Sequence, residues 1–114
     1  MGPLAPASVV VVNFPFSDLS GAKLRPAVVL LHTGRSDWLL CQVTSNPFSD
    51  PDAVRISQAD LVVGSLATVS FVRPTKLFTA DEGLISKRVA VLTDASFKVV
   101  LSSVIDKLQS VMPD

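Results

Sequence analysis

Three β-rich apolar runs, Val9 to Phe14, Ala27 to Leu31 and Leu39 to Thr44, are each bounded by turn residues, the pattern of neighbouring strands. If they form an antiparallel meander, the end of the first, the start of the second and the end of the third share one edge of the sheet. Phe14, Arg25 and Thr44 then face a common patch. Further strands are predicted near Ala53 to Ile56, Thr68 to Arg73, Lys76 to Thr79 and Arg88 to Leu92, with a helical turn around Gln58 to Val62. Thr93 offers a helix N-cap, and Phe97, Val100, Leu101, Val104, Ile105 and Leu108 recur at the spacing of one helical face. The pattern therefore predicts a mainly β fold closed by a C-terminal amphipathic helix.

Two connections are irregular. Pro15 to Leu24 is long for a strand-to-strand link, where about two to five residues is usual. Asn46 to Asp52, with Pro47, Asp50 and Pro51, leaves from the same proposed edge. Punctuation by Pro, Gly, Asn and Asp, with no internal repeat or charge run, fits one compact domain over residues 1–114, in which residues 1–7 are read as a loose lead-in without a targeting signal.

Composition narrows the function classes. The chain has 114 residues, 48% of them hydrophobic, and ten basic residues balance ten acidic ones. There is no global cationic field of the kind duplex-binding proteins carry, so any nucleic-acid site must be local. Cys41 is the single cysteine, which excludes an intramolecular disulfide and a multi-cysteine zinc site and fits a reducing cytosol. Inside an apolar run, it reads as core. The longest apolar runs are strand-sized, short of the roughly 20 residues of a membrane helix.

Val9-Val-Val-Val-Asn-Phe-Pro-Phe-Ser-Asp18, then Lys23-Leu24-Arg25-Pro26, then Gln42-Val43-Thr44-Ser45-Asn46-Pro47, then Ser70-Phe-Val-Arg73-Pro-Thr-Lys76-Leu77 and the closing helical segment follow one another in an order that resembles the MazF/PemK toxins of prokaryotic type II toxin-antitoxin systems. The ordered set, not any one motif, carries the resemblance. Two positions depart from it: Ala7-Ser8 stands where a Gly-Asp pair is frequent, and Ala90 where glycine is common. The resemblance implies an SH3-like small β-barrel with the C-terminal helix, a cytoplasmic toxin that cleaves single-stranded RNA sequence-specifically, a homodimer whose two chains build the RNA groove, and a cognate antitoxin with an acidic tail that covers it. It implies no cofactor.

Cleavage of RNA by its own 2′-hydroxyl requires a proton to be taken, extra charge on phosphorus to be stabilised and the leaving oxygen to be protonated. His32 is the only histidine, so a two-histidine acid/base pair within one chain is impossible. Seven strand residues beyond Arg25, it lies about 23 Å away, and it reads as structural or exposed. Arg25 keeps its charge and can grip two phosphate oxygens at once, so it is the candidate for transition-state charge stabilisation; by position alone it could equally be a surface arginine at a strand end. The resemblance makes it catalytic. Thr44 offers a hydroxyl to a phosphoryl oxygen or, on the plainer reading, caps a loop. The resemblance assigns it a catalytic role beside Arg25.

RNA contacts are expected from the same region. Phe14, Phe16 and Phe48 are candidate stacking platforms, or core. Gln42 shares the side of its strand with Thr44, and Lys23, Arg73 and Lys76 could meet phosphates, Arg73 through the family's Ser-x-x-Arg segment. Ser17, Asp18, Ser45 and Asn46 complete the candidate set. Asp18 could instead be a base or an antitoxin contact. Asp50-Pro51-Asp52 has the composition of a turn rather than of a metal site, and no metal is expected.

Two rivals come from other function classes. Related barrels of the CcdB group poison DNA gyrase through a terminus ending Trp-Gly-Ile, whereas Val111-Met-Pro-Asp114 ends this sequence and its only tryptophan is Trp38. The other is an SH3-like interaction module without catalysis.

Overall fold

A computed structural model describes residues 4–15, 22–48 and 50–114. Strands β1 (Ser8–Pro15), β2 (Ala22–Gly34), β3 (Asp37–Thr44), β4 (Val54–Ile56), β5 (Leu61–Gly64), β6 (Ser70–Asp81) and β7 (Ile85–Leu92) precede a helix, α1 (Asp94–Gln109). They form one antiparallel sheet in the order β4-β6-β3-β2-β1-β7-β5. The predicted meander is its centre, with β3, β2 and β1 adjacent. The last strand returns to pair with the first.

Both faces of the central strands are covered, which is why β1 and β2 read as unbroken apolar runs instead of alternating ones. Val9, Val28, Leu30, Cys41 and Val43 form one core with Val100 and Val104 of α1, while Val10, Val12, Ala27, Val29 and Leu40 form a second with Trp38 and Ala80. This second core is filled from the sheet itself, as in a small SH3-like barrel, although among the described residues the edge strands β4 and β5 do not pair and the ladder stays open. Cys41 is fully buried, its Sγ donates to the Arg73 carbonyl at 2.7 Å, and its thiol is pushed up to about 12 first by burial and then by the charge of Asp50. It is core, as expected.

Several boundaries move. The strands β1 and β2 extend to Pro15 and Ala22, so both ends of the supposed ten-residue connection are strand, and residues 16–21 lie outside the described residues. The two strands predicted around Pro74 are one, β6: Cys41 is opposite Leu77 but Val43 is opposite Val72, and the extra residues bulge out at the buried Pro74, where the missing N–H costs the ladder nothing. The predicted helical turn is a 3₁₀ turn over Gln58–Asp60 that passes directly into the unforeseen edge strand β5. The helix is capped as predicted, Thr93 Oγ1 accepting from Ser96 N at 3.1 Å. Phe97, Val100, Leu101 and Val104 carry its apolar face, whereas Ile105 and Leu108 are exposed.

Ala7, counted with the lead-in, is buried and pinned at both backbone groups, its N–H donating to Val29 O and its carbonyl accepting from Leu92 N, each at 2.9 Å. It is held at φ +76°, in the left-handed region that favours glycine.

Candidate functional site

The register sets Val12 opposite Arg25 and Phe14 opposite Lys23 between β1 and β2, and Ala27 opposite Gln42 between β2 and β3. Pro26 stands where β2 parts from β3, a place that does not need its missing N–H. Carried two residues further, the second register brings Arg25 level with Thr44. Both line one open pocket of about 780 Å³. Its apolar floor comes from Val9, Pro26, Val43 and Val89. Arg25, Thr44 and Ser45 stand on one side, Lys87 and Arg88 on the other, and the segment 65–68 between β5 and β6 borders it.

Local hydrogen bonds shape the β3 end of this pocket. Thr44 Oγ1 accepts from the Asn46 N–H at 3.1 Å, and Asn46 Oδ1 accepts from the Phe48 N–H at 2.9 Å. Thr44 does cap its loop, and because it does so as an acceptor its own hydroxyl hydrogen remains available to an anion. Phe48 is 91% exposed and free to stack. Phe14 is engaged elsewhere, its ring centroid 4.7 Å from that of Phe78.

The other expected residues are distributed more widely. Lys23, Gln42, Asn46, Arg73 and Lys76 do not line this pocket. Arg73 is half-buried and pairs with Asp50, Nε to Oδ2 at 3.7 Å. Asp50 also accepts the Asp52 N–H at 2.9 Å, as its turn composition predicted. Phe16, Ser17 and Asp18 lie outside the described residues. His32 is exposed at the far end of β2, bonded to the Arg35 carbonyl and packed 4.8 Å from Trp38. Lys87, Arg88 and the 65–68 segment are the pocket residues that sequence reasoning missed. Lys87 and Arg88 are delivered by the pairing of β7 with β1, which joins opposite ends of the chain, and the 65–68 segment by the pairing of β5 with β7; no local signal announces either.

A profile of the PemK-like, MazF-like toxins matches residues 5–108. The chain belongs to this family of type II toxin-antitoxin toxins. No curated protein matches it by direct sequence comparison. Among solved structures, it is similar to a mycobacterial endoribonuclease in complex with its cognate antitoxin, with 16% identity, a TM-score of 0.71 and 98% and 100% of the two chains covered. It is also similar to the Mycobacterium tuberculosis toxin MazF-mt6, with 10% identity, a TM-score of 0.69 and 90% and 96% covered. The MazE-MazF complex of Deinococcus radiodurans matches at 21% identity, with a TM-score of 0.68 and 91% and 94% covered. The MazF-like fold thus accounts for essentially the whole chain. Among the described residues, no helix is long and apolar enough to cross a membrane.

Proposed function

We propose that this MazF-like toxin is a cytoplasmic, metal-independent endoribonuclease that cleaves single-stranded RNA at specific sequences, using Arg25 and Thr44. The observation that carries the reading is the convergence of these two residues on one pocket in a chain of this family. In the reaction the substrate's 2′-oxygen forms a bond to the adjacent phosphorus as the bond from phosphorus to the 5′-oxygen breaks. The 2′-hydroxyl proton is lost and the departing oxygen gains one, leaving a cyclic phosphate and a 5′-hydroxyl. The pentacoordinate phosphorus carries an extra negative charge, which the Arg25 guanidinium meets with two parallel N–H donors while the Thr44 hydroxyl donates a third.

The pocket suits this task electrostatically. Arg25, Lys87 and Arg88 face it and no carboxylate lines it among the described residues, so a chain of zero net charge still concentrates positive potential at one place. The exposed Phe48 supplies a stacking surface beside Thr44. Phe14, Phe16, Ser17, Asp18, Lys23, Gln42, Ser45, Asn46, Arg73 and Lys76 belong to the wider RNA surface of this reading, together with a second copy of the chain in a homodimer. A cognate antitoxin that presents an acidic tail would neutralise the same basic pocket. The test is an RNA oligonucleotide containing one mapped cut site, offered in excess EDTA as all-ribose and with a single 2′-deoxyribose at the nucleotide 5′ to the cut. Loss of that one hydroxyl abolishes cleavage if the reading holds, and equal cutting of both strands refutes it.

A further inference from the structure

On β7, Lys87 and Arg88 belong to none of the motifs that identify the family resemblance, yet they share the pocket of Arg25 and Thr44. Their position is set by two ladders. Val11 is opposite Pro26 on β2 and opposite Lys87 on β7, so Lys87 is level with the residue next to Arg25, two strand spacings or about 10 Å across the sheet. Arg88 is opposite Val10, one step further along. Val9, Pro26 and Val89 give the same pocket its apolar lining.

The plain alternative is a pair of cations on a solvated strand. Three observations speak against it. Arg88 is half-buried, and among the described residues neither Lys87 nor Arg88 has a hydrogen-bond or ion-pair partner. A guanidinium partly withdrawn from water without a counter-charge is costly unless a ligand supplies one. The pocket contains no carboxylate among those residues to do so. Its floor, finally, is apolar and its far border hydroxyl-bearing, with Ser65 and Thr68, which suits a base lying flat between two anchored phosphates.

Resting on the endoribonuclease reading above, we propose that Lys87 and Arg88 anchor the phosphate next to the scissile one, so that the RNA crosses β1 with one phosphate at Arg25 and Thr44 and its neighbour on β7. The two sites differ in role. Arg25 acts on the phosphorus that reacts, whereas Lys87 and Arg88 hold a phosphate that does not, and so they govern binding of the extended strand.

The experiment compares wild type, Lys87→Gln, Lys87→Gln/Arg88→Gln and Arg25→Ala on two substrates built around one mapped cut: a dinucleotide with only the scissile phosphate, and the same step extended by two nucleotides on each side. Binding of the extended strand, made uncleavable by a 2′-O-methyl group at the cut, is measured against salt concentration. Wild type is expected to prefer the extended strand. The double variant loses that preference through a KM raised about tenfold to a hundredfold, the loss of a charge-assisted phosphate contact. Its salt slope also falls by at least about 0.7, the value of one single-strand phosphate contact. If Arg88 is needed for folding, the exposed Lys87→Gln alone must still lower the slope. An unaltered preference and slope in both variants overturn the proposal, while loss of cleavage in Arg25→Ala leaves the endoribonuclease reading standing. A wild type that cuts no RNA, indistinguishable from Arg25→Ala, overturns both.

Discussion

Gly64 ends β5 at φ +88° with its Cα against β7, and a Cβ there would stand 2.1 Å from Val89 O and 2.6 Å from Ala90 Cα. Both obstacles are backbone, so neither can rotate away. For Gly64→Ala, the left-handed conformation costs about 1–2 kcal/mol and the forced separation of β5 from β7 about another 1–3 kcal/mol. A domain of this size has about 5–15 kcal/mol to lose. At about 4–8 °C per kcal/mol, the expected fall in Tm is about 10–30 °C. Gly34 is the internal control: its φ of +134° is equally unsuited to alanine, but a Cβ would meet nothing within 4 Å. Gly34→Ala therefore pays only the conformational part. Thermal unfolding followed by circular dichroism, backed by urea midpoints with unchanged m-values, separates the two variants. A Gly64→Ala protein that melts no lower than Gly34→Ala would refute the close approach of β5 to β7, and with it the placement of the 65–68 segment at the pocket.

The reverse substitution is favourable at Ala7, which is held at φ +76°: Ala7→Gly should raise Tm by a few degrees, read in the same melts, since relief of about 1–2 kcal/mol of strain outweighs the added freedom of the unfolded chain. Thr44→Val removes both the acceptor for the Asn46 N–H and the donor to phosphate, and kcat for RNA cleavage should fall by about 10²–10³-fold, while Thr44→Ser retains most of it. The Asp60 carboxylate accepts from the Ser96 hydroxyl at 2.7 Å and from the Ser57 N–H at 2.8 Å, and these bonds hold it below its ordinary value of 3.8. Its contribution to stability is complete above that value and disappears as pH falls through the lower folded value, so the Tm of Asp60→Asn should decline less steeply than wild type below about pH 4.

The central meander was legible because local rules agree there: β-branched runs, turn residues at their ends, and Arg25-Pro26 at a strand entrance where a missing N–H is harmless. The same geometry made the meeting of Arg25 and Thr44 predictable. Thr93 and the period of Phe97 to Val104 similarly marked the helix. What escaped was decided by distant partners. Pro74 looked like a break because the bulge that accommodates it depends on the register with Cys41 and Val43. Phe14 was left open between stacking platform and core because nothing near it in sequence points to Phe78. The strand β5 has only four residues, two of them the exposed Val62 and Val63, and no alternation to reveal it. Arg88 opens a predicted strand and nothing local marks it or Lys87 as part of a site, because only the pairing of β7 with β1 places them there.

If the pocket holding Arg25 and Thr44 cuts RNA, cleavage depends on the Arg25 guanidinium. The most direct measurement incubates purified wild-type protein and Arg25→Ala with a long unstructured RNA in excess EDTA and maps cut positions and end groups, after melting curves have shown both proteins to be folded. Discrete cuts are expected from the wild type alone, each leaving a cyclic phosphate and a 5′-hydroxyl. Equal cutting by Arg25→Ala, or no cutting by a folded wild type across varied RNAs, would contradict it.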